Sequence, residues 1–356
     1  MTLTITPLPD DLKKTKWSDP AQLGFGRMFS DRMLVADWDS RQGWHDARIV
    51  PYGPFSLDPS AAVLHYGQEV FEGLKAYRWA DNSIALFRPD MNLARLNRSA
   101  ERLSLPRVPD DIFLQGMFDL VRLEQEWVPA AAGTSLYIRP ALIATEAALG
   151  VKPGGTCRFF IILSPVAAYY STGFKPVRIL VEDRFVRAVP GGTGEAKTGG
   201  NYASSLLAAQ EAAKRGFDQV LWLDGVERRF VEEVGAMNIF FVMDGRLVTP
   251  ALSGSFLAGI TRDSLLRLAP RLGLEAEERP VPVDELMAGI KSGRVQEVFG
   301  SGTAAVVSPV SALCYRDELL TVGNGEVGGI TQRLYDTLTG IQYGRLPDRF
   351  NWMHRL

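Results

Sequence analysis

The spacing of apolar positions changes several times along the chain, and each spacing predicts an element. Residues 94–103 carry Leu96, Ala100 and Leu103 three and four apart, which is one face of a helix. Residues 111–127 repeat that spacing with Phe113, Met117, Leu120, Val121 and Leu123 and predict a second helix. Arg32-Met-Leu-Val-Ala-Asp-Trp38 alternates loosely and reads as a strand. Ser135-Leu-Tyr-Ile-Arg-Pro140 and Cys157-Arg-Phe-Phe-Ile-Ile-Leu163 run β-branched and aromatic residues nearly without interruption, as interior strands do. Strands mixed with helices predict an α+β fold for this half.

Turn residues gather at Tyr170-Ser-Thr-Gly-Phe-Lys-Pro176, and a new strand begins at Val177-Arg-Ile-Leu-Val181. A domain boundary is placed there, giving domains at 1–170 and 177–356 with a linker at 171–176. Residues 202–215 predict a helix stopped by Gly216, followed by a strand at Gln219-Val-Leu-Trp-Leu223. Two strands flank Asp244-Gly245, a dipeptide that favours a tight hairpin. A helix at 261–272, a strand at 274–278 and a strand at 295–299 complete the pattern, the last leading into a glycine-rich turn. No internal repeat is visible.

Composition narrows the function. In 356 residues, 46% hydrophobic and 22% charged positions are enough to build a core, which excludes general disorder. The net charge of -2, without a cluster of Lys and Arg, argues against a nucleic-acid protein. Cys157 and Cys314 cannot form a disulfide framework, and the three histidines lack a partner at i+3 or i+4, so no metal site is expected. Pro7, Pro9, Asp10 and Asp11 stand where a signal peptide needs an apolar core. The most apolar stretch, near 159–163, is far shorter than the ~20 residues of a membrane span. A cytoplasmic protein without membrane partners is expected.

Three loops and one carboxylate carry candidate chemistry. Gly191-Gly-Thr-Gly-Glu-Ala-Lys-Thr-Gly-Gly200 resembles a nucleotide-binding loop, but Ala196 stands where such a loop needs glycine, and Lys197 where a dinucleotide fingerprint needs its third. Its glycines let the chain approach a flat ligand closely, and Lys197 can attack a carbonyl carbon to form a Schiff base. An exposed flexible loop is the alternative. Gly300-Ser-Gly-Thr-Ala-Ala305 reads as an anion nest with hydroxyls at Ser301 and Thr303. Ala258-Gly-Ile-Thr-Arg262 enters a helix, whose first N–H groups suit a phosphate. Glu233 precedes the apolar run 238–242 and can hold a protonated ring nitrogen; a solvated strand-edge glutamate is the alternative. One ligand meets all these demands: pyridoxal 5′-phosphate, which is flat, phosphorylated, carbonyl-bearing and built on a nitrogen ring.

The sequence resembles the fold-type-IV aminotransferases, and within them the branched-chain amino-acid aminotransferases. The class signature is met from Glu233-Val-Gly-Ala-Met-Asn-Ile-Phe240 through Leu247-Val-Thr249 to Leu257-Ala-Gly-Ile-Thr-Arg262. The branched-chain branch adds Leu64-His-Tyr-Gly-Gln-Glu-Val-Phe-Glu-Gly-Leu-Lys75, Ser135–Pro140, Lys197-Thr-Gly-Gly-Asn-Tyr202 and Glu297-Val-Phe-Gly-Ser-Gly-Thr303. The resemblance covers residues 25–343. It implies a smaller N-terminal α/β domain, a larger C-terminal domain with a β-barrel-like core and helices, a cofactor between them, and a homodimer.

The same resemblance implies roles. Lys197 forms the Schiff base and shuttles the proton; Glu233 holds the pyridine nitrogen; Tyr202 bonds the phenolic oxygen. Arg95, Ile260, Thr261 and Thr303 hold the phosphate. Phe25, Phe71, Tyr137, Tyr169 and, from the other subunit, Tyr66 and Val151 wall the substrate pocket, while Ala236 and Ala304 receive the α-carboxylate. Arg139 partners glutamate's second carboxylate. From the residues alone, the aromatics also read as core packing, and Arg95 and Arg139 as surface ion pairs. The implied reaction is reversible transamination of leucine, isoleucine and valine with 2-oxoglutarate; a D-amino-acid transaminase or an aminodeoxychorismate lyase is the alternative within the fold. Mammalian members carry a redox CxxC after the threonine matching Thr303, where this chain has Ala305 and Ser308, so no thiol switch is expected there.

Overall fold

The computed structural model describes residues 2–167 and 174–356, so Tyr169 and part of the expected linker lie outside the described residues. The chain folds as two compact units. The first comprises Met1–Ser171, Ala196–Gly199 and Ile341–Leu356; the second comprises Thr172–Glu195 and Gly200–Gly340. A division by position alone does not make these two returns of the chain to the first unit. With them, the first unit holds more of the chain than the second.

The first unit is a nine-stranded sheet in the order Thr4–Ile5, Gly43–Pro51, Arg32–Asp39, Thr156–Val166, Ser135–Ala144, Leu74–Arg78, Ile84–Phe87, Met353–Arg355, with Glu69–Phe71 paired to Ser135–Ala144. All pairings are antiparallel except that of Thr4–Ile5. The helix Pro89–Arg102 turns Leu93, Leu96 and Ala100 into the core against Leu136, Ile138, Leu142, Phe159, Ile161 and Leu163. Because side chains alternate along a strand, Tyr137 and Arg139 then point to the opposite face. Tyr137 is flanked there by its cross-strand partners Lys75 and Ser164. One face packs the core and the other carries polar chemistry.

The single helix expected at 111–127 is divided. A π-helical turn Asp111–Gln115 precedes the α-helix Gly116–Leu123, and a 3-10 turn Gln125–Trp127 follows. Gly116 lies so close to Leu34 that a Cβ would overlap it. At the other end Glu124 leaves the helix to accept the Asp31 N–H at 2.9 Å and the Arg32 guanidinium at 2.7 Å. Tertiary contacts override the apolar period at both ends.

The second unit holds another nine-stranded sheet. Its strands run Val231–Val234, Gln219–Leu223, Val177–Glu182, Val306–Tyr315, Val295–Gly302, Met237–Met243, Arg246–Pro250, Ala276–Arg279, with Glu318–Thr321 on Val306–Tyr315. Val231–Val234 also pairs with Met237–Met243, which closes the first six into a barrel. Asp244 and Gly245 make the expected hairpin with φ of 48° and 77°, the left-handed pair that a right-twisted ribbon needs. The helix expected at 202–215 breaks into Gly199–Ala203 and Leu206–Lys214. Ser204 and Ser205 turn their hydroxyls back to Asn201 and Tyr202 carbonyls at 3.0 and 2.6 Å, competing with the helical ladder. The glycine-rich turn also differs: Gly300-Ser-Gly302 stays in the strand, opposite Ile239 and Ser308, and the turn begins at Thr303. Among the described residues no helix is long and apolar enough to cross a membrane.

Candidate active site

Lys197 sits on the four-residue return to the first unit, and that return is tied down along its length. The Phe71 N–H donates to the Lys197 carbonyl at 3.0 Å, and the Lys197 N–H donates to Ser99 Oγ at 2.9 Å. Thr198 Oγ1 donates to the Glu69 carbonyl at 2.8 Å, and the Gly199 N–H to the Glu69 carboxylate. A Cβ on Gly199 would overlap that carboxylate, so glycine is required for the approach. Lys197 Nζ lies 4.8 Å from the Phe71 ring centroid, within cation–π range. An exposed flexible loop does not describe residues 196–199.

Arg95 is buried, not a surface ion pair. Its Nε and Nη2 grip the two oxygens of Glu72 at 2.7 and 2.9 Å, and Asn92 Nδ2 adds a bond at 2.7 Å. Burial alone would raise the Glu72 carboxyl; the Arg95 guanidinium, with Lys197 and Asn92, holds it below its usual range. Asn92, Arg95 and Ser99 lie on one helix at i, i+3 and i+7, one polar stripe in a buried face. That spacing is a sequence signal for the missed Asn92 and Ser99.

On the polar sheet face, Phe25 meets Tyr137 edge-on at 5.0 Å. The Arg139 guanidinium lies 4.7 Å from the Phe71 ring and 5.3 Å from the Tyr137 ring, and its Nη2 donates to Tyr137 Oη at 3.0 Å. Gly73 admits the Tyr137 hydroxyl where a side chain would collide with it. Phe25, Phe71, Tyr137, Arg139 and Lys197 are thus brought together. Tyr66 is engaged instead by the Leu149 carbonyl and the His65 ring. Tyr66 and Val151 are exposed, at 42% and 86%.

In the second unit, Glu233 lies in a strand that turns at Gly235-Ala236, where Gly235 has φ of 58°. Its Oε1 accepts the Leu257 N–H at 2.8 Å and stands 3.6 Å from Arg187 Nη1. With both Glu233 and Arg187 buried, a solvated glutamate is excluded. The Arg187 guanidinium also covers the Tyr202 ring at 5.4 Å. Nothing in the sequence pattern marks Arg187. The neighbouring Glu232, on the other side of the strand, is raised by burial despite hydroxyl bonds from Ser255 and Ser253.

Phosphate-type donors also belong to this unit. The helix Ile260–Leu268 begins at Gly259 without a side-chain cap, which leaves the Ile260 and Thr261 end of the helix for an anion. Asn238 steers the approach to it, donating to the Leu257 carbonyl at 2.9 Å and lying too close to Gly259 for any Cβ. Thr303 and Ala304 form the turn after Val295–Gly302, and Val306 beyond them is held at φ of 62°, a strained value for a β-branched residue. Among the described residues, the buried hydroxyls of Ser301 and Ser308 have no hydrogen-bond partner. In the first unit, the half-buried Lys197 amine and the buried Arg95 guanidinium suit a carbonyl and a phosphate; in the second, the buried Glu233 carboxylate and the uncapped helix start suit a ring nitrogen and a phosphate, and these are the groups of pyridoxal phosphate.

Residues 69–313 match the sequence model of a family described as amino-transferase class IV. The chain is 55% identical over 340 residues to branched-chain-amino-acid aminotransferase 2 of Bacillus subtilis (strain 168), covering 96% of this chain and 93% of that protein. It is 52% identical over 355 residues to the branched-chain-amino-acid aminotransferase of Mycolicibacterium smegmatis, covering 98% and 96%. Among solved structures, the branched-chain amino acid aminotransferase from Thermobaculum terrenum in its PLP form matches with a TM-score of 0.73 at 26% identity, covering 91% of this chain and 98% of that one. The Escherichia coli branched-chain amino acid aminotransferase matches at 0.73 and 29%, covering 91% and 98%. Agreement over nearly the whole length, in sequence and in fold, means that this chain belongs to the class IV aminotransferases.

Proposed function

We propose that this protein is a branched-chain-amino-acid aminotransferase that exchanges the amino group of L-leucine, L-isoleucine or L-valine with 2-oxoglutarate, using pyridoxal 5′-phosphate. The observation that carries the reading is the placement of Lys197, its amine against Phe71 and its backbone held by Phe71 and Ser99. When bound, the cofactor supplies an aldehyde for the amino group and a ring that accepts electrons from Cα. Lys197 Nζ would be the amine that holds the cofactor's aldehyde, and during turnover the base that accepts and returns the proton at Cα.

Glu233 keeps a proton on the ring nitrogen, and the Leu257 N–H and Arg187 hold its carboxylate in place. Tyr202 donates to the ring's phenolic oxygen. Arg95, the Ile260–Thr261 helix start and Thr303 bind the phosphate. Phe25, Phe71 and Tyr137 receive the branched side chain, with each buried methyl worth about 0.8 kcal/mol. Arg139 receives the second carboxylate of glutamate, and Ala236 and Ala304 the α-carboxylate. The exposed Leu64, Tyr66, Leu149 and Val151, at 58, 42, 63 and 86%, support a homodimer in which Tyr66 and Val151 reach the partner's site. A cytoplasmic location completes the reading.

Borohydride reduction followed by peptide mapping tests it: the pyridoxyl adduct is expected on Lys197. An unmodified Lys197 in protein saturated with the cofactor overturns the mechanism. Turnover of L-leucine but not D-alanine separates this activity from that of a D-amino-acid transaminase.

A further inference from the structure

Arg139 faces two incompatible tasks if one pocket serves both substrates. Against glutamate it meets a carboxylate; against leucine it is a cation beside an apolar side chain. A half-buried cation with no counter-charge is costly in the second case. Among the described residues Arg139 has no carboxylate in ion-pair contact, its Nε is buried without a hydrogen-bond partner, and its Nη2 donates to the Tyr137 hydroxyl. The rings of Phe71 and Tyr137 supply the remaining contacts.

Glu69 lies within electrostatic reach of Arg139. It lies two residues before Phe71 on the strand Glu69–Phe71, hence on the same face as the ring that carries Arg139. Its carboxylate is not spent on Arg139; it accepts the Gly199 N–H, and its backbone carbonyl accepts Thr198 Oγ1. Burial raises the Glu69 carboxyl, while the Gly199 N–H and the charge of Arg139 pull it down without reversing the rise.

We propose that Glu69 is a positioning residue that sets the preference between apolar and acidic substrates, offsetting the charge of Arg139 at a distance while anchoring the backbone that carries Lys197. This rests on the reading of Arg139 as the partner of the second carboxylate. With leucine bound, Glu69 compensates the guanidinium. With glutamate bound, Arg139 acquires a closer partner and Glu69 repels the incoming charge.

The test is steady-state kinetics of holoenzyme with leucine and glutamate as alternative donors. Glu69→Gln keeps an oxygen for the Gly199 N–H and removes the charge, so the ratio of KM for leucine to KM for glutamate should rise roughly fivefold, as for a charge pair in partly screened surroundings. Glu69→Asp, which keeps the charge, should restore most of the ratio. The Glu69→Gln effect should shrink in an Arg139→Gln background, where there is no guanidinium left to compensate and only the direct repulsion of glutamate remains. If Arg139→Gln leaves the glutamate KM unchanged, the reading of Arg139 fails and this inference with it. If Arg139→Gln raises that KM but Glu69→Gln leaves the ratio at its wild-type value, Arg139 keeps its role and the proposal for Glu69 is overturned. An equal change in Glu69→Asp and Glu69→Gln marks a packing effect and also overturns it.

Discussion

Glu72 and Arg95 form a closed, two-pronged ion pair, the carboxylate wholly buried and the guanidinium nearly so. Planar guanidinium and carboxylate match edge to edge, so the arginine is fixed in orientation as well as in place. A buried pair of this kind is weak evidence of net stabilisation, but removing one member leaves a charge without its partner.

Glu72→Gln is therefore expected to destabilise the protein by about 3–5 kcal/mol at neutral pH. The folded carboxyl is depressed, so its contribution to stability is present above the usual carboxylate range and lost as pH falls through the folded value. Urea denaturation of wild type and variant should converge on acidification. Equal stability of the two at neutral pH contradicts the account, and a weaker affinity for pyridoxal phosphate should accompany the loss.

Glu233→Gln removes the negative charge beside the proposed ring nitrogen while preserving the acceptor for the Leu257 N–H. Transamination should fall by on the order of 100-fold or more, with the cofactor still retained through Lys197. Stopped-flow absorbance distinguishes slow proton transfer from lost binding. Near-normal turnover would remove Glu233 from the chemistry.

Arg187→Met strips the cation from Glu233 and from the face of Tyr202. The absorbance of the bound cofactor is expected to shift its pH midpoint, and Arg187→Lys should recover it only in part, since a lysine cannot cover the ring with a planar fork. An unmoved midpoint in Arg187→Met makes the arginine a packing residue.

Lys75 is buried on the strand Leu74–Arg78, and burial pushes its amine down to about 8 from the usual 10.5. Between those values the unfolded chain holds more protons than the folded one, so the Lys75 contribution to stability rises with pH across that window. The stability of wild type relative to Lys75→Met should increase as pH is raised from below about 8 to above 10.5. A difference that stays flat sinks the claim.

The residues most readily read from the sequence are those whose spacing is local. Lys197, Tyr202 and Glu233 stand in short motifs, and the hairpin at Asp244-Gly245 follows from two backbone angles. Long-range contacts are not legible in the same way. Arg187 meets Glu233 from a distant part of the chain, with nothing periodic to announce it. Ser204-Ser205 breaks a helix that apolar spacing alone extends. Gly300–Gly302 reads as loop because glycine favours turns, yet pairing with two neighbouring strands holds it extended. Local preference loses to the ladder there.

The return of Ala196–Gly199 to the first unit has a consequence for dissecting the gene. Cut at 171–176, the chain gives a leading piece that owns Phe71, Ser99 and Glu69, the groups that hold the lysine's backbone, and a trailing piece that owns the lysine itself. The trailing piece also carries Met353–Arg355, which pairs with the edge strand Ile84–Phe87 of the leading piece. Neither half could be expressed as a working module. Their reactivity would be a property of complementation, returning only when the two polypeptides are co-folded and Lys197 is handed back to the sheet that seats it.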